Sequence, residues 1–228
     1  YKSDPKLISY IGSWKSGKRD GFGTLILKDS SRLVGDWKND SLRYGEFQGS
    51  DGTNMSGEWS SEYLNEGTMR LAVGSEYSGK FGGQGMFASG SLLSINGDHY
   101  TGRFLDNQYH GKGILAKTDG SIYVGEFSDG KFSGYGVLKE PNQSIYSGQF
   151  LNGLPDGEGL QSDVSGVVYT GSWKQGEKHG MGTLDFGDGT NYTGEFLSGL
   201  ANSGLYDWGD GIVTDSYQDE NGEWQDRE

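Results

Sequence analysis

The sequence predicts an all-β fold, an elongated single-layer array of antiparallel β-hairpins shaped as a rod or curved trough, and three observations carry that prediction. A core of Tyr-x-Gly-x-(Trp/Phe) recurs along the 228 residues, successive copies starting 22 or 23 positions apart. Each good copy is followed, at constant spacing, by Gly-x-Gly. The composition, with 42 glycines, 32% hydrophobic residues and 13% aromatic residues, suits a thin structure in which flat rings cover glycine backbone rather than one deep core.

The first-strand copies run Tyr10-x-Gly12-x-Trp14, Leu33-x-Gly35-x-Trp37, Met55-x-Gly57-x-Trp59, Tyr77-x-Gly79-x-Phe81 and Tyr100-x-Gly102-x-Phe104. They continue as Tyr123-x-Gly125-x-Phe127, Tyr146-x-Gly148-x-Phe150, Tyr169-x-Gly171-x-Trp173 and Tyr192-x-Gly194-x-Phe196, with a degraded terminal copy in residues 213–228. Strand alternation puts Tyr, Gly and the second aromatic on one face. The residues between them, such as Thr101 and Arg103 or Thr170 and Ser172, are mostly polar. The second strand is seen in Gly21-Phe22-Gly23, Gly134-Tyr135-Gly136, Gly157-Glu158-Gly159 and Gly180-Met181-Gly182. There Gly21, Gly23 and Leu25 share a face, which leaves bare backbone for the rings of the first strand to lie on.

Turns separate these strands. A Gly at 17, 130, 153, 176 and 199, with Asn107 in one copy, sits three residues after the aromatic, where a tight turn needs positive φ. Asp51-Gly52, Asp119-Gly120 and Asp188-Gly189 precede the following unit and mark the turns that join hairpins. Pro5, Pro141 and Pro155 fall at the start or between strands. At about 4.8 Å per strand, ten hairpins stack to about 90–100 Å. Residues 1–228 therefore read as a single array of about ten units with no domain boundary.

Regularity fails between residues 33 and 99. In the second and third units Arg43 and Asn65 replace the first Gly of the pair, and the unit is one residue shorter, so these hairpins are expected to pack differently. In the fourth, Phe81-Gly82-Gly83-Gln84-Gly85 has lost most of the turn. A bend, bulge or irregular loop is expected over 82–99, either a tolerated defect or a specialised binding loop.

Tyr-x-Gly-x-Trp/Phe-x-x-Gly followed by Gly-x-Gly resembles the MORN repeat family. Tyr123 to Gly136 and Tyr169 to Gly182 are the clearest copies, and the resemblance covers essentially the whole chain. It implies an elongated antiparallel β array used for scaffolding, dimerisation or peptide capture, sometimes at membrane lipids, with catalysis confined to other domains.

The net charge of −13 disfavours nucleic acid and anionic lipid as partners, because basic groups supply most of the attraction to phosphate. The charge is graded. Residues 1–43 hold nine basic and five acidic groups, a balance of +4, and residues 44–228 hold ten and 27, a balance of −17. Opposite ends of that kind suggest antiparallel or head-to-tail association of rods. No cysteine is present and the sequence starts at Tyr1, which tilts an otherwise unknown localisation toward a bacterial or exported fragment.

Candidate chemistry is sparse. His110 and His179 share one repeat position and are expected to be solvent-facing turn residues, with His99 in a loop. The acidic turns at Asp185 to Gly189 and Asp207 to Gly211 lack the alternating ligands of a calcium loop. Without a nucleophile elbow or converging carboxylates, no enzymatic activity, metal or cofactor is expected. The remaining constellation is the aromatic column: Tyr100, Phe104, Tyr123, Phe127, Tyr146, Phe150, Tyr169, Trp173, Tyr192 and Phe196. These rings either form the core or line a trough for a protein or peptide partner. The expected function is a non-enzymatic protein-interaction or scaffolding module that binds a partner segment or a second copy, possible homodimers included. The alternatives are a carbohydrate or cell-wall binder, whose sugars stack on exposed rings, and a peripheral membrane module, which the acidic balance disfavours.

Overall fold

A computed structural model describes residues 7–60, 63–83 and 86–227. Its twenty strands follow one another as hairpins in an open antiparallel sheet, and no α-helix occurs among the described residues. The chain divides into two compact units, Tyr1–Tyr109 and His110–Glu228.

The first unit carries β1 (Leu7–Lys15), β2 (Lys18–Leu27), β3 (Arg32–Lys38), β4 (Ser41–Gln48), β5 (Asn54–Ser60), β6 (Tyr63–Arg70), β7 (Glu76–Phe81), β8 (Phe87–Leu93) and β9 (His99–Leu105). Its motif glycines face one another across successive strands: Gly12 opposes Gly23, Gly23 opposes Gly35, and the series runs to Gly90 and Gly102. The second unit holds β10 (Gln108–Ala116), β11 (Ile122–Ser128), β12 (Lys131–Lys139), β13 (Ile145–Leu151), β14 (Leu154–Ser162) and β15 (Val168–Lys174). It is completed by β16 (Glu177–Asp185), β17 (Asn191–Leu197), β18 (Leu200–Asp207), β19 (Val213–Gln218) and the short β20 (Trp224–Asp226). There the glycine series runs from Gly113 through Gly125, Gly136, Gly148 and Gly159 to Gly204.

The two glycines of Gly-x-Gly have separate duties. The first sits at a bulge with positive φ, 59° at Gly134 and 65° at Gly180, where two extra residues of the second strand face the first. The second is a cradle. The Tyr123 ring lies over Gly125 and Gly136, so that a Cβ on Gly136 would fall 2.6 Å from two of its ring carbons. Where the first Gly is missing, in β3–β4, β5–β6, β7–β8 and β17–β18, the bulge holds one extra residue instead of two. That is the physical form of the shorter unit, and the second and third hairpins do pack differently: Leu42 and Leu64 lie opposite Trp37 and Trp59.

Hairpin turns bend as the spacing requires. Asp129 and Gly130 have φ of 51° and 76°, and Asn152 and Gly153 of 53° and 92°, the two-residue turn with both centres left-handed. In the joining turns the aspartate caps its own loop, as Asp119 Oδ1 accepts from Ser121 N–H at 2.8 Å and Asp188 Oδ1 from Thr190 N–H at 2.9 Å. Those hydrogen bonds hold both carboxyls below the usual range, first through the Ser121 and Thr190 hydroxyls. The acidic turns are accounted for by their own geometry.

Several expectations are corrected. Residues 87–93 are not an irregular loop but the strand β8, paired with β9 throughout and with β7 through one bulge, between Lys80 and Phe81, so of the expected irregularities the bulge is the one present there. The irregularity shrinks to the segment between Phe81 and Phe87, where Gln84 and Gly85 lie outside the described residues, as does Pro5. Pro155 is inside β14, opposite Phe150, rather than between strands. The degraded last unit keeps its hairpin as β19 and β20, and Trp224 packs edge-on at 4.7 Å from Tyr206 and tilted at 5.0 Å from Tyr192.

Candidate interaction face

The ten aromatic residues singled out from the sequence, Tyr100, Phe104, Tyr123, Phe127, Tyr146, Phe150, Tyr169, Trp173, Tyr192 and Phe196, are each at most 7% exposed. Those of the second unit form an inner column, edge to face: Tyr123 stands 5.0 Å from Phe127 and 5.1 Å from Phe150, and Tyr146 stands 5.0 Å from Trp173. Each tyrosine hydroxyl donates to the carbonyl three residues on, as Tyr123 does to Glu126 and Tyr169 to Ser172, both at 2.9 Å. Burial pushes the hydroxyls of Tyr123, Tyr146 and Tyr169 up to about 12. Indole N–H groups tie hairpins together, Trp37 to the Gly23 carbonyl at 3.1 Å and Trp59 to that of Gly45 at 3.0 Å. With their faces covered, these rings cannot stack on a sugar.

A second inner column was missed in the sequence. It lies opposite the motif aromatic and stacks on the tyrosine: Phe87 on Tyr77 at 4.1 Å, Tyr109 on Tyr100 at 3.9 Å and Phe132 on Tyr123 at 3.8 Å. In other units its member is Arg19, Leu42, Leu64, Pro155, Lys178 or Ala201. Lys178 Nζ is 5.2 Å from the Tyr169 ring centre, and burial pushes its ammonium down while Asp163 pulls it back up. The position takes aromatic, aliphatic, proline and basic residues in turn, so periodicity in residue type could not reveal the column.

The histidines are placed differently from expectation. His110 and His179 are half-buried members of β10 and β16 rather than turn residues, and His99 opens β9, exposed, within hydrogen-bond reach of the Ser91 hydroxyl.

The accessible face is the other one, built from the intervening positions. In the second unit one row passes across the strands through Ile114, Val124, Val137, Ser147, Leu160, Thr170, Thr183 and Thr193. A neighbouring row holds Lys112 opposite Glu126, Tyr135 opposite Gln149, and Glu158 opposite Ser172. A third holds Ile122 opposite Lys139, and Lys139 opposite Ile145. Between the first two rows the glycine series forms a floor, and shallow grooves open on both sides of Tyr135. On β10 to β14 the exposed apolar residues Ile114, Ile122, Val124, Tyr135, Val137, Ile145 and Leu160 cluster on this face, with Ser147 and Lys139 set among them, Tyr135 being 65% exposed. Gln149 Nε2 donates to the Tyr135 hydroxyl at 2.9 Å and fixes that ring.

In the first unit the corresponding rows begin with the exposed Ile11 on β1 and Phe22 on β2, and across β3 to β7 they read Val34, Glu46, Ser56, Thr68 and Ser78 beside Asp36, Tyr44, Glu58, Glu66 and Lys80. That surface is charged and hydroxyl-rich, with Ser56 and Thr68 joined at 2.8 Å.

A sheet that repeats one hairpin about a glycine series and a ring column defines a tandem β-hairpin repeat protein. The MORN repeat matches at residues 10–32, 100–122, 123–144, 146–168, 169–191 and 192–213, more than half of the sequence, and the chain belongs to that family. None of the curated proteins matches it. Among solved structures it is similar to the TCP domain of Drosophila melanogaster SAS-4 (dCPAP), in complex with a proline-rich motif of Ana2 (dSTIL). The identity is 12%, with 75% of this chain and 86% of that one covered and a TM-score of 0.42. It is also similar to the TCP10 domain of Danio rerio CPAP bound to a STIL peptide, at 10% identity over 96% and 94% with a TM-score of 0.38.

Proposed function

We propose that the chain is a non-enzymatic interaction or scaffolding module, its array of about ten units presenting an aromatic and glycine-lined face to an extended segment of a partner protein or to another copy of itself. The observation that supports this reading is the exposed apolar cluster around Tyr135, on a sheet whose inner face is already filled. An apolar patch of this kind, rimmed by Lys112, Glu126 and Glu158, is what protein contact sites present. The eight column aromatics of the second unit lie beneath this face, buried on the inner side of the same strands.

Affinity capture from the protein's own cells tests the reading, with the wild type, Val137→Glu and the control Glu46→Lys compared by mass spectrometry. The expected result is a set of proteins lost with Val137→Glu and retained by Glu46→Lys. Identical sets from all three proteins would falsify the assignment of binding to this face. Selective binding to a glycan array or to vesicles, unaffected by Val137→Glu, would shift the reading to the carbohydrate or membrane alternative.

A further inference from the structure

The outer face of β10 to β14 is self-complementary about its middle strand. With β12 at the centre, a two-fold axis running nearly along β12 and between two facing sheets lays β10 of one copy over β14 of the other. Positions along each strand are kept. Ile114 then meets Leu160 of the second copy, Ile122 meets Ile145, and Val137 and Tyr135 meet their own counterparts at the axis. On the rim the same operation brings Lys112 against Glu158. The two grooves beside Tyr135 also exchange places, so each receives the side chains that wall the other. A symmetric dimer requires this of a single surface: one patch that fits itself.

We propose that this face is the seat of a second copy of the chain, packed sheet on sheet. Two twisted sheets pack with strands aligned to within about 30° and with inner faces about 10 Å apart, a spacing filled by β-branched residues like those exposed here. Five strands at about 4.8 Å span about 24 Å, and three rows of side chains about 6.7 Å apart span about 20 Å, so the covered area is on the order of 500 Å² per copy, about 1,000 Å² in all, the size of a small reversible interface. Charge favours the same occupant. On the rim Lys112 meets Glu158 and Glu126 meets Gln149, so no carboxylate faces another, whereas a segment of uniform charge satisfies only one sign. Lys139 faces its own counterpart at the patch edge, where its long stem lets the ammonium reach water.

The inference rests on the interaction-module reading and is tested on the purified chain alone, so that the two can fail separately. Sedimentation equilibrium between about 1 and 100 μM is expected to show a reversible dimer, forming toward the upper end of that range as suits a small interface. Val137→Glu should yield a monomer with an unchanged far-ultraviolet circular dichroism spectrum. Lys112→Glu should raise the dimer dissociation constant tenfold or more, and adding Glu158→Lys should restore most of the loss. That rescue is the result a merely destabilised fold would not produce. A wild-type chain still monomeric at 100 μM, or a dimer indifferent to Val137→Glu, overturns self-pairing. A partner captured through this face by such a monomer would leave the interaction reading intact.

Discussion

Residues 32–70 and residues 122–162 are built as the same pair of hairpins, with the same facing glycines, yet they differ on both faces of the sheet. In the first stretch Leu33 and Met55 take the tyrosine position and stay half-buried, while Trp37, Trp59, Leu42 and Leu64 fill the inner face. In the second, Tyr123 and Tyr146 are wholly buried over their glycine pairs. Outside, the first is charged and the second apolar. The glycine opposition is therefore the invariant that fixes register, and the rings above it and residues below it are free to change. A repeat can be kept for architecture in one stretch and given a contact surface in another.

Glycine substitution breaks this comparison most severely. Gly136→Ala is expected to cost about 3 kcal/mol or more, because the new methyl would enter the Tyr123 ring. At Gly45 the obstacle is the backbone carbonyl of Val34, so Gly45→Ala should be at least as costly. The two sites separate in a double-mutant cycle in urea: Tyr123→Leu should offset part of Gly136→Ala, with a coupling of about 1 kcal/mol or more, whereas Leu33→Ala should not offset Gly45→Ala. Equal coupling at both sites would show that the ring is not what the second glycine accommodates.

Next in size is the column itself. Tyr123→Leu should cost about 3 kcal/mol by chemical denaturation, against about 1–2 kcal/mol for Leu33→Ala at its half-buried site. Alkali gives a smaller and graded effect. The folded tyrosines at 123, 146 and 169 ionise near 12 rather than 10.0, so their contribution is complete below pH 10 and lost as pH rises through about 12. The urea midpoint should fall across that window while tyrosinate absorbance of the column rises late; a midpoint unchanged from pH 9 to 12 would refute the cause. Smallest of all, Ser56→Ala removes the cross-strand hydroxyl pair with Thr68 and should cost about 0.5 kcal/mol or less.

Much of this architecture was legible because glycine and aromatic residues recur by type. The period located the first strand of each hairpin, the turn glycines and the bare backbone beneath the rings. Three features were not. The stacking column of Phe87, Tyr109 and Phe132 continues through Leu42, Pro155 and Lys178, residues that share a place but no chemistry. Strand β8 was hidden because its turn is abnormal, although Gly90 sits where register with Gly79 demands. The candidate face stayed hidden because Thr101, Arg103, Thr170 and Ser172 typify intervening positions that are mostly polar along the whole sequence. Ile114, Val124, Val137 and Leu160 occupy those positions too, and a reading confined to β10 to β14 would have found them.

Within each unit, every strand pairs only with strands next to it in sequence. Loop-closure entropy is then small at every step, and no early segment must wait for a distant one. A chain of this kind can settle hairpin by hairpin as it leaves the ribosome, each new pair of strands laid on the one just made, so the order of synthesis and the order of assembly coincide.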